Sequence, residues 1–155
     1  MTSQTQATAQ LSADQLVPID HVRTRLAFLW LGAAALIVLT LVIQSLRLVY
    51  GPAVQEVWGW ILPTLMPTLG MIVSVLGYTA LDPAMSGIVV RKSFFTLAFW
   101  LSTSYLTLVL VTILIQPFSP ASPVELMRMS NLWLGPFQGL VASALGVLFV
   151  SKRQR

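Results

Sequence analysis

The chain has 155 residues, of which 56% are hydrophobic and 9% charged, with a net charge of +4. A soluble domain carries about 25% charged residues, so a water-soluble core of this size cannot hide so much apolar side chain. There is no cysteine and a single histidine, His21, which excludes disulfides, thiol catalysis, thiolate metal sites and bis-histidine haem ligation within the chain.

The basic residues stand in twos and threes beside apolar runs. That is the pattern of topology signals, not of a nucleic-acid surface. No nucleic-acid partner, metal or cofactor is expected.

In chain order, residues 1–20 read as a disordered tail. Met1–Gln15 is rich in Thr, Gln, Ser and Ala and holds no aromatic residue. Arg23 and Arg25 then flank a first span at about 26–46, too long for the apolar core of a signal peptide and so read as uncleaved. His21 is read as a solvated flank residue.

Arg47–Glu56 forms a short outer connector. The charge-free stretch Val57–Leu81 follows, with Pro63 and Pro67 four residues apart on one helical face. A proline inside a helix costs about 3 kcal/mol. The less costly arrangement puts Pro63 in the first turn, giving a span at about 63–81. Gly51–Leu62 would then be a hinge or interfacial helix, with Trp58 and Trp60 at headgroup level. The two prolines mark either an ordinary bend or a gating hinge. Gly70, Ser74 and Gly77 form a small-residue face.

Asp82–Lys92 is the inner loop, and Asp82-Pro83 resembles an N-cap with a first-turn proline. The third span, about 93–116, carries hydroxyls at Ser93, Thr96, Thr103, Ser104 and Thr107 within one arc. Such a stripe can line a water-filled path. It can equally bond back to its own i−4 carbonyls or to a neighbouring helix. Trp100 shares the face and would obstruct a narrow path.

Pro117–Met129 is the second outer loop. Ser122 and Glu125 fit a capping box, so a helix should start at Pro123 and run into a fourth span at about 130–151, with Pro136 as a kink candidate. Gly135, Gln138, Gly139, Ala142, Ser143 and Gly146 share an arc with Asn131. Their small side chains suit close packing within the bundle or between subunits, and Gln138 and Asn131 can hydrogen-bond across an interface. Residues 152–155 form a basic tail.

Seven Lys/Arg residues (Arg23, Arg25, Arg91, Lys92, Lys152, Arg153 and Arg155) fall on one side and two (Arg47 and Arg128) on the other. This places both termini in the cytoplasm. The expected architecture is therefore all-α: a four-helix transmembrane domain over residues 21–151, N-in and C-in, multi-pass, in a bacterial inner membrane.

No Asp, Glu, Lys, Arg or His lies within the predicted spans. Ion-coupled transport normally leaves an ionisable residue at membrane depth, and intramembrane hydrolysis needs a catalytic constellation there. The expectation is a non-enzymatic protein that packs in the bilayer with itself or a membrane-protein partner, as an anchor, accessory subunit or assembly scaffold. The alternative is a homo-oligomeric channel or membrane-permeabilising pore lined by the third span.

Overall fold

The structure, a computed structural model, describes residues 16–81 and 89–150. Strand β1 (Leu16–Pro18) runs directly into helix α1 (Ile19–Leu46), and α2 (Val54–Leu81) follows a 3-10 turn at Gly51–Ala53. Strand β2 (Val89–Arg91) runs into α3 (Lys92–Ile115), and α4 (Pro123–Val150) follows a second 3-10 turn at Gln116–Phe118. The proposed cap at Asp82-Pro83, residues 1–15 and the basic tail at 152–155 lie outside the described residues.

Each helix is apolar around its whole circumference, and a stripe at 3.6-residue spacing turns inward. On α1 that stripe is Val22, Leu26, Trp30, Ala34, Ile37 and Leu41, while Phe28, Leu36 and Leu39 are exposed. Only 33% to 39% of each spanning window is buried in the bundle. The remaining apolar surface needs lipid or another membrane protein around it. Among the described residues, four helices are long and apolar enough to cross a bilayer. The chain is an integral, multi-pass membrane protein.

The helices pack as a ring in which α1 and α4 each touch both α2 and α3, and α1 also meets α4 across the short diagonal. Successive spans alternate in direction, so the neighbours α1 and α3 run parallel, as do α2 and α4. The two halves of the chain share one plan of strand, helix, 3-10 turn and helix. Trp60-x-x-Pro63 in α2 recurs as Trp133-x-x-Pro136 in α4. The separation equals that between Val17 and Val90, which pair at the centre of the antiparallel β1–β2 ladder. Two halves with an even number of spans each have the same sidedness, as in parallel repeats related by an axis along the membrane normal.

Two boundaries differ from the sequence reading. Residues 16–20, expected within the disordered tail, are ordered: Leu16–Pro18 pairs with β2 and Ile19 and Asp20 open α1. Helix α2 starts at Val54 and carries both prolines in its interior. Val57, Trp60 and Ile61, all before Pro63, are buried, and their packing offsets the cost of continuing the helix through the ring. Ser122 accepts the Glu125 N–H at 3.3 Å, so the cap expected there forms and α4 begins at Pro123. At the other end of the first hairpin, α1 stops in a Schellman motif. The Leu48 and Val49 N–H groups return to the Ser45 and Gln44 carbonyls, with Leu48 at φ 56° where glycine is usual.

Candidate functional site

The centre of the bundle is a cluster to which every helix contributes. Trp30 of α1 stacks on Tyr105 of α3 with ring centroids 5.9 Å apart, and Phe137 of α4 meets Tyr105 edge-on at 5.9 Å. The Tyr105 hydroxyl donates to the Thr64 carbonyl of α2 at 3.3 Å, and Gln138 Nε2 donates to the same carbonyl at 3.2 Å. Thr64 lies between Pro63 and Pro67, which leave the Gly59 and Pro63 carbonyls without their usual i+4 donors. Side chains from two other helices thus reach this proline-containing segment of α2 and tie it into the bundle. One turn earlier, Trp60 Nε1 donates to Asn131 Oδ1 at 2.9 Å.

This cluster is neutral. It fills the axis of the bundle with rings and offers no base to activate a hydroxyl. Ser102 Oγ and Trp30 Nε1 are buried there without a hydrogen-bond partner. Among the described residues, no group of three His, Cys, Asp or Glu side chains comes together.

Of the residues singled out from sequence, Gln138, Asn131 and the α2 prolines reach this cluster, while the small residues and hydroxyls lie elsewhere. On α2, Gly70, Ser74 and Gly77 are exposed, opposite the buried stripe of Ile61, Leu65, Thr68 and Ile72. On α4, Gly135, Gly139, Ala142 and Ser143 are exposed, and Gly146 is half-buried. A Cβ added at Gly70, Gly77, Gly135, Gly139 or Gly146 would meet nothing within 4 Å. Within one protomer, then, close backbone approach does not use these glycines. Gln138, together with its neighbour on the arc Asn131, sits at the edge of that face and bonds to α2.

Ser93, Thr96, Ser104 and Thr107 are exposed on α3 and Thr103 is half-buried. The stripe points away from the inward residues Ala98, Ser102, Tyr105, Val109 and Ile113. Thr96 and Thr103 donate to the Lys92 and Phe99 carbonyls, at 2.9 and 2.8 Å. Trp100, on the same face, is 63% exposed. Inside the protomer the stripe lines no path.

Sequence reasoning missed Trp30, Tyr105 and the inward role of Arg23. The last of these shares a helical face with Ile19, Ala27 and Trp30, a phase relation that was available from spacing alone. No family model, curated protein or solved structure matches this chain.

Proposed function

We propose that this is a small non-enzymatic membrane protein that packs with itself or with a membrane-protein partner, as an anchor, accessory subunit or assembly scaffold. The observation that carries this reading is the uncovered small-residue surface of α2 and α4, at Gly70, Ser74, Gly77, Gly135, Gly139 and Ser143. Packing is the main force between helices in lipid, and small residues let backbones come close. The neutral, ring-filled central cluster supports the same reading, since among the described residues it presents no acid, base or metal set for chemistry.

Replacing Gly139 with Leu tests this. Gly139 is exposed and a Cβ built there meets nothing within 4 Å, so the protomer should stay folded while cross-linking in membranes shifts toward smaller species. Unchanged cross-linking would mean that this face meets lipid.

The Lys/Arg asymmetry supports a bacterial inner-membrane protein with both termini cytoplasmic. Reporter fusions after Gln15 and Arg155 should read cytoplasm, and fusions near Gly51 and Ser119 should read outside. An outside signal at Arg155 would remove the orientation. A homo-oligomeric channel is the second reading. It is favoured by one observation: the outward hydroxyl stripe of α3 is free to meet its copies around a shared axis.

A further inference from the structure

A groove opens on the outer surface between the N-terminal halves of the parallel helices α1 and α3. One hollow, of about 340 Å³, is lined by Arg25, Phe28, Phe95, Thr96 and Phe99. A second, of about 300 Å³, is lined by Val17, His21, Val22, Arg25, Lys92 and Phe95. The two share Arg25 and Phe95 and so form one continuous feature, with each half at the size where small-molecule sites begin, about 300 Å³.

The groove is graded along the helix axes. Lys92 is the first residue of α3, with Phe95 and Phe99 one and two turns deeper on the same side; Arg25 and Phe28 give the matching step on α1. Cationic groups therefore stand at the strand end and phenyl rings toward the middle of the spans. Arg25 and Lys92 are exposed, and among the described residues no carboxylate lines either hollow. The α1 and α3 N-termini, positive ends of their helix dipoles, lie at this same end.

A free anion would have no use for the phenyl wall, and a neutral hydrocarbon none for the cations. We infer that the α1–α3 groove binds an anionic phospholipid, its phosphate between Arg25 and Lys92 and an acyl chain along Phe28, Phe95 and Phe99. Basic pockets between membrane helices are the usual recognition element for such headgroups.

The test is native mass spectrometry of the purified full-length protein with equal amounts of phosphatidylglycerol and phosphatidylcholine of identical chains. Phosphatidylglycerol should be retained preferentially, by about fivefold for each basic residue at the phosphate. The preference should collapse in Arg25→Gln/Lys92→Gln and persist in Arg47→Gln/Arg128→Gln, whose cations lie outside the groove. Both Arg25 and Lys92 are exposed, and an unchanged thermal midpoint checks that the double variant is folded. In wild type, raising the salt concentration should lower the preference without any substitution. Equal retention of the two lipids, or a preference that survives in the Arg25/Lys92 variant, would overturn the inference. So would inorganic phosphate stabilising the protein as well as the lipid does, since that would leave the phenyl wall without a role.

Discussion

The Arg23 guanidinium near the start of α1 donates to the carbonyls of Leu148 and Phe149 near the end of α4, at 3.1 and 3.0 Å. The last carbonyls of a helix have no partner within it, and a cation there also complements the negative end of the dipole. Arg23 is 2% exposed, so its planar fork closes the first helix onto the last from inside the bundle. The diagonal contact between α1 and α4 thereby acquires a polar fastening at the strand end.

Arg23→Gln should lower stability by about 2 kcal/mol. Hydrogen bonds to a charged group contribute about 1.5–3 kcal/mol each, and relief from burying a cation offsets part of that loss. Arg23→Lys should fall between the two, since an ammonium cannot reproduce the two-pronged geometry. Thermal unfolding in detergent measures both. A glutamine variant that melts with wild type would show that the clamp contributes nothing net.

Tyr105 and Gln138 converge on the Thr64 carbonyl and so tie α3 and α4 to α2 through one acceptor. Tyr105→Phe and Gln138→Leu should each cost about 0.6 kcal/mol, the usual scale for polar contacts between membrane helices. Because both side chains share one acceptor, Tyr105→Phe should cost more in a Gln138→Leu background than in wild type, where Gln138 still serves that carbonyl. A double-mutant cycle with no coupling between positions 105 and 138 would show that the two contacts act independently.

The four spans were legible because apolar length is a strong signal, and the Ser122–Glu125 cap because its spacing is specific. The direction of each face was not. Gly139 on a small-residue arc looks the same in sequence whether it meets a sister helix or the surroundings, and here it is open. Arg23 beside a span looks like a headgroup anchor until its phase with Trp30 is considered. The strands are three residues long and too short to show a period. The end of α1 was blurred because Leu48 occupies the left-handed position without a glycine to announce it.

The hydroxyl stripe of α3 separates the scaffold from the channel. Ser104 and Thr107 lie near the middle of the helix and on its outward side, so lipid or a neighbouring protein surrounds them unless protomers enclose water. The chain has no native cysteine, and single cysteines at these two positions can be probed with a membrane-impermeant thiol reagent. A thiol must ionise to react, and an apolar environment opposes ionisation. In the assembled protein we expect both to be as inert as cysteines at Leu36 and Leu39, which are exposed on α1. Cysteines at Ser93 and Thr96 should react more readily because they sit near the strand end, so only the deep positions decide. Fast labelling at Ser104 and Thr107, with Leu36 and Leu39 silent, would mean that copies of α3 surround water, and the channel would displace the scaffold.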